Sequence, residues 1–233
     1  MTLGRLPSVA LAAILVAAPG LIYAAMAQTQ SDTPAPDRGR GAIIAAQGTA
    51  SGAPACALCH AFDGASDGSG AFPRIAGQPA SYLATQLGYF ASGVRNSAIM
   101  SPIGKALSAE DVAAVTAYFA ELDVPFLPLA QPDETLVKAG QELAKVGNAA
   151  RGIQACDNCH GPEGAGEPPV IPYLAGQYAS YIAFELQMWQ SGYRTSSPEE
   201  MAPLAAKLTA EDVAAVAAYY QQVRGSDAIV APQ

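Results

Sequence analysis

Leu83, Leu87 and Phe90 recur at i, i+4, i+7, which places them on one face of a helix running from Pro79 to Ser92. Pro79 suits the start of that helix, where its missing N–H costs nothing, and Gly93 can end it. Val112, Val115, Phe119 and Leu122 form a second apolar face, introduced by Ser108-Ala109-Glu110-Asp111. That start has the form of a capping box, with the Ser108 hydroxyl available to the Asp111 backbone N–H. Residues 39–48 predict a short helix bounded by glycines. Residues 61–71 are rich in Gly, Ser and Asp and read as a loop, as does the stretch carrying Arg95, Asn96 and Met100. Three prolines in residues 123–133 favour an extended, semi-rigid connection.

The pattern then repeats. Lys138 to Gly147 is the counterpart of the glycine-bounded helix, and Ile171 to Gln177 matches Phe72 to Gln78. Ser191-Gly192-Tyr193-Arg194 matches Ser92-Gly93-Val94-Arg95, and Leu208 to Val216 matches Leu107 to Val115 almost letter for letter. The offset drifts only between 99 and 101, so two small changes in loop length account for it. No run of strand-type alternation occurs in either copy. The expectation is an all-α protein of two domains related by internal duplication, residues 38–124 and 134–226, joined by a Pro-rich linker at 125–133.

Composition adds three constraints. The 233-residue chain is half apolar with 14% charged residues, which suits packed helices, yet each repeat is small for a self-sufficient core. Formal charge is −8 with no block of Lys or Arg, which argues against nucleic acid as a partner. Residues 1–27 have the layout of an export signal: Arg5, an apolar stretch from Val9, and Ala25-Met26-Ala27 as a small-x-small cleavage site. An uncleaved membrane anchor is the alternative. Residues 28–37 are polar and proline-containing and read as a disordered lead-in.

All four cysteines and both histidines fall in two pentapeptides, Cys56-Ala57-Leu58-Cys59-His60 and Cys156-Asp157-Asn158-Cys159-His160. C-x-x-C-H is the c-type haem attachment motif: two thiols one turn apart each add to a vinyl group, and the adjacent histidine lies against the iron. Disulfide clips or a shared zinc site would use the cysteines but leave unexplained why a histidine follows each second one. The cofactor expected is therefore two covalently bound haem c groups.

The second axial ligand separates electron carriers from haem enzymes. With both histidines used, and Met1 and Met26 in the signal, Met100, Met188 and Met201 remain. Met100 and Met201 sit at matched points, each after a Gly-x-Arg and each two residues before a proline. They are the candidate ligands, with His60 and His160 opposite. Met188 aligns with Tyr89 on the middle helix and reads as a core residue beside Trp189. Methionine–histidine ligation favours ferrous iron and closes the metal to substrate.

The tandem C-x-x-C-H motifs, the repeated P-x-[IL]-A-G-Q-x-x-S-Y block, the G-x-R and Met-x-Pro segments and the L-[ST]-x-E-D helix start together resemble the dihaem cytochrome c4 family, built from two class I cytochrome c domains. The resemblance covers roughly residues 38–226. It implies electron transfer without catalysis, with the carbonyls of Pro73 and Pro172 accepting from the ring N–H of His60 and His160. It also implies haem-propionate contacts for Arg95 and Arg194, whose alternative reading is a solvated loop arginine. The first copy departs from the pattern, with Ala61 where Gly161 stands in the second and a loop to Pro73 one residue longer.

The function expected is a periplasmic carrier of single electrons between a quinol-oxidising complex and a terminal oxidase or reductase. The alternative is a subunit of a membrane-bound dehydrogenase or oxidase complex, attached at the periplasmic face of the inner membrane. A haem peroxidase needs an open iron, which matched methionines argue against. Residues 38–130 carry a net −1 and residues 131–233 a net −6, so the second haem is expected to have the lower potential.

Overall fold

The computed structural model describes Met1, residues 35–127 and residues 129–223. The export signal and most of the lead-in at 28–37 lie outside the described residues. Among the described residues the regular structure is helical, with three isolated β-bridges and no strand. The described residues between 36 and 223 belong to one compact unit.

The first half contains α1 (Arg38–Gln47), α2 (Ala57–His60), α3 (Ala80–Ser92), α4 (Met100–Ala106) and α5 (Ala109–Ala120). The second contains α6 (Glu134–Lys145), α7 (Asp157–His160), α8 (Ala179–Gln190), α9 (Met201–Ala205) and α10 (Ala210–Gln222). The helix starts have visible causes. Asp37 Oδ1 accepts from the Arg40 N–H at 3.0 Å, and Asp133 caps α6 through the N–H groups of Thr135 and Leu136. Full capping boxes open α5 at Ser108 and α10 at Thr209. Gly93, at φ 84°, ends α3.

Four elements differ from the sequence expectation. Helix α6 begins at Glu134 rather than Lys138, because the Asp133 carboxylate accepts from the N–H groups of Thr135 and Leu136 and so caps an additional turn. Pro79 is the residue before α3 rather than its first member. The segments holding Met100 and Met201 are short helices instead of loops, each starting at the methionine.

In each half the first helix crosses the last at a glycine. A Cβ on Gly41 would sit 2.2 Å from the Ala114 carbonyl oxygen, and one on Gly140 would sit 2.0 Å from that of Ala215. Around these crossings lie two cores. Ile44, Ala114, Val115 and Phe119 make the first; Leu143, Ile182, Leu186, Val213, Val216 and Tyr220 belong to the larger second. The linker is fastened rather than loose. Buried Arg74 donates to the carbonyls of Val124 and Pro125 and lies 4.6 Å from the Phe126 ring, which itself covers Gly176.

Candidate haem sites

Helix α2 is a single turn with Cys56 at its N-cap, so Cys56 and Cys59, three residues apart, project from the same side of one short segment with His60 at its end. His60 is buried, and its Nδ1 lies 3.0 Å from the Pro73 carbonyl oxygen. A carbonyl can only accept, so Nδ1 carries the proton and Nε2 is left with its lone pair. His160 repeats this with Pro172 at 2.9 Å. Burial pushes both imidazoles below their ordinary pKa, against the opposing pull of the carbonyl, which keeps the rings neutral. Burial likewise raises the Cys56 thiol, and raises Cys156 to about 11. All four cysteines are free of disulfides. Among the described residues no three His, Cys, Asp or Glu side chains form a group that could hold a bare metal ion.

A cavity of about 730 Å³ opens in the first half. Cys56, Cys59, His60, Pro73, Arg95 and Met100 all line it, with Arg194 reaching it from the second half, so seven sequence-predicted residues meet at one place. Leu83, Leu87 and Phe90 also face it, which explains why the apolar stripe of α3 is only partly absorbed by protein core. The fit to a planar macrocycle is chemical: apolar walls, two thiols, a neutral imidazole and a thioether. In the second half Cys156 and Met201 both pack on the larger core, and Cys159 is exposed. Met188 differs from its expected place. It lines the first-half cavity across the boundary between the halves.

Arg95 and Arg194 are both buried, so neither is a solvated loop arginine. Their backbones form an antiparallel bridge between the halves. Arg95 donates to Gln86 Oε1 at 2.9 Å, to the Tyr181 hydroxyl at 2.6 Å and to Glu185. Arg194 donates to Glu185 Oε2 at 2.5 Å and to Gln86 Oε1 at 3.2 Å. Phe90 and Trp189 lie under the two guanidinium groups at 4.6 and 3.8 Å. Burial works against the Arg95 cation, but Tyr181 and Glu185 outweigh it and hold its pKa above the ordinary value. Gln86 and Glu185 are equivalent positions in the repeat, so two cations share one carboxylate on the cavity wall.

Sequence reasoning missed Gln86, Tyr181 and Glu185, although a polar residue interrupting the apolar face of α3 and α8 was the available signal. It also missed a contrast at the exposed rims. Leu58 and Ile99 are exposed beside the first site, where their repeat counterparts Asn158 and Glu200 are polar and also exposed.

Helices carrying a C-x-x-C-H turn, a proline carbonyl behind each histidine and a methionine helix, all present twice, define tandem class I cytochrome c domains. The cytochrome c family model matches residues 45–123, and the model for subunit III of cbb3-type cytochrome c oxidase matches residues 144–219. Cytochrome c4 of Pseudomonas aeruginosa is 37% identical over 71% of this chain and 82% of its own. The thiosulfate dehydrogenase electron acceptor of Thiomonas intermedia is 40% identical over 63% of this chain and 67% of its own. Among solved structures, thiosulfate dehydrogenase from Marichromatium purpuratum superposes with a TM-score of 0.73 at 40% identity. That match covers 79% of this chain, which spans only 40% of the chain in that structure.

The chain belongs to the dihaem cytochrome c4 family. It carries two covalently bound haem c groups and acts in electron transfer rather than catalysis.

Proposed function

We propose that Cys56 and Cys59 bind the first haem covalently with His60 and Met100 as axial ligands, and that Cys156, Cys159, His160 and Met201 do the same for the second. The domains on this reading span 38–124 and 134–226, with 125–133 as linker. Each iron then shuttles between ferrous and ferric states with both axial positions filled. The observation that carries the reading is the convergence of Cys56, Cys59, His60 and Met100 on one cavity. Arg95 and Arg194 supply the positive wall against which haem propionates would rest, since one carboxylate, Glu185, answers both cations.

The protein works as a single-electron carrier in the periplasm, between a quinol-oxidising donor and a terminal oxidase or reductase. Its acidic second domain receives a basic surface on one partner, so the transfer rate falls as salt rises. A second donor is favoured by the relative in Thiomonas intermedia, whose name identifies it as an acceptor for thiosulfate dehydrogenase. Mixing the oxidised protein with that enzyme and thiosulfate separates the two readings, since only the second predicts rapid haem reduction. N-terminal sequencing of the native protein separates a free carrier from an anchored subunit.

The ligand set is tested by the spectrum of the oxidised protein with a haem count. Two haems and a methionine-to-ferric charge-transfer band are expected, with Met100→Ala and Met201→Ala each removing about half of that band. Its absence from both domains in the parent protein would overturn the assignment.

A further inference from the structure

Two glutamines cross the boundary between the halves in opposite directions. Gln177 Oε1 accepts from the Arg74 backbone N–H at 3.0 Å, and Gln177 Nε2 donates to the Arg74 carbonyl at 2.9 Å. Gln78 does the same to Tyr173, accepting at 3.3 Å and donating at 3.0 Å. Both side chains are buried, at 3% and 4% exposure. The peptides they grip are those behind the histidines. The Pro73 carbonyl that accepts from His60 and the Arg74 N–H that donates to Gln177 are the two ends of one peptide group. The Pro172–Tyr173 peptide stands in the same relation to His160 and Gln78.

Each histidine is thus the head of a chain: Nδ1–H to carbonyl, through the peptide, N–H to a glutamine oxygen from the other half. Hydrogen bonds in series polarise one another. Withdrawing the peptide proton toward Gln177 makes the Pro73 carbonyl a stronger acceptor, which leaves more electron density on the His60 ring. A more basic imidazole stabilises ferric iron. We propose that Gln177 and Gln78 are positioning residues that lower the potential of the haem in the opposite half, Gln177 acting on the first haem and Gln78 on the second. The Gln177 oxygen lies nearer its peptide N–H than the Gln78 oxygen does, but it also accepts from the Tyr178 N–H at 3.1 Å, so the two arms are not ranked by distance. Satisfying a buried N–H would alone explain a glutamine here, so the test needs a readout that packing does not move.

The inference rests on His60 and His160 as iron ligands. The experiment is a potentiometric titration of the intact dihaem protein and its Gln177→Met, Gln78→Met and Tyr178→Phe variants. Haems are assigned by NMR, and ligation is checked by the charge-transfer band. Tyr178→Phe is the control, because it removes a different hydrogen bond between the halves, to the Ala65 carbonyl. Gln177→Met should raise the ferrous-to-ferric ratio of the first haem about threefold at fixed applied potential. That is a shift of about 30 mV at 59 mV per tenfold for one electron. The second haem should stay in place. Gln78→Met should move the second haem in the same direction and leave the first. Equal shifts of both haems, no shift, or the same shift in Tyr178→Phe would each overturn the coupling. If Gln177→Met does not fold, Gln78→Met alone still decides it. A parent protein lacking the charge-transfer band would instead sink the ligand assignment, while an intact band with unmoved potentials sinks only the glutamine coupling.

Discussion

Ala61 follows the first haem histidine with φ 58° and ψ 162°, and Gly161 follows the second with φ 74° and ψ 166°. That region is open to glycine and costs other residues about 1–3 kcal/mol. The first loop retains the conformation with the wrong residue, helped by Phe62, whose ring packs on Tyr118 at 5.6 Å and whose carbonyl accepts from the Tyr118 hydroxyl. Ala61→Gly should therefore stabilise the first domain by about 1 kcal/mol after glycine's extra chain entropy is subtracted. Thermal unfolding of the holoprotein would show it as a raised midpoint; a lowered one would mean the loop is not strained. The departure from the repeat was readable in the sequence, but its backbone consequence was not, since a missing glycine could equally have meant a differently shaped turn. The candidate axial methionines, by contrast, follow from counting and register together, because two histidines leave Met100, Met188 and Met201 and only Met100 and Met201 occupy matched positions in the repeat.

At the scale of elements, the helix crossings and caps are the parts most open to measurement. Gly41→Val and Gly140→Val would each force a Cβ into a carbonyl oxygen of the last helix, 2.2 and 2.0 Å away in the present packing. Each should cost about 1–3 kcal/mol or more, as overpacking does. Denaturant titration should give a lower midpoint, whereas the exposed Gly88→Val, with nothing within 4 Å, should leave the midpoint unchanged or slightly raised, since valine is the better helix former of the two. The cap of α5 has a pH signature. Asp111 is buried, and hydrogen bonds from Arg40 and Ser108 hold its carboxyl below the usual carboxylate pKa. A depressed folded pKa adds stability that is present above the unfolded value, about 3.9, and is lost as pH falls through the folded one. Asp111→Asn should cost about 1–2 kcal/mol at pH 7, and the gap from the parent protein should close as pH drops below about 3.9. A gap independent of pH would remove the charge from the account. These long helices were legible because their caps and apolar spacing agree. Helices α4 and α9 were not, because seven and five residues are too short to display a period and neither begins with a side-chain cap.

Across the whole molecule the duplicated sequence is not used symmetrically, and the asymmetry sits where the two halves meet. Gln86 and Glu185 face the same pair of arginines from opposite halves, and only one of them is charged. Glu185→Gln would leave two buried guanidinium groups with no carboxylate, which by analogy with other broken buried pairs should cost about 3–5 kcal/mol. The loss should appear first as early separation of the halves in hydrogen exchange. Gln86 and Glu185 each interrupt an apolar helix face, but their meeting in one cluster was not legible, since it is assembled from residues about a hundred apart. Its net positive charge lies on the wall of the first cavity, while the wider acidic excess belongs to the second half. Both fields act in one direction. Buried positive charge near the first haem favours its ferrous form, and the net −6 of residues 131–233 favours the ferric form of the second. The first haem should therefore be reduced first. Potentiometric titration of Met100→Ala and Met201→Ala variants assigns each wave to its haem by displacing it. A second haem reduced before the first would mean that burial and hydrogen bonding at the iron outweigh the surrounding charge.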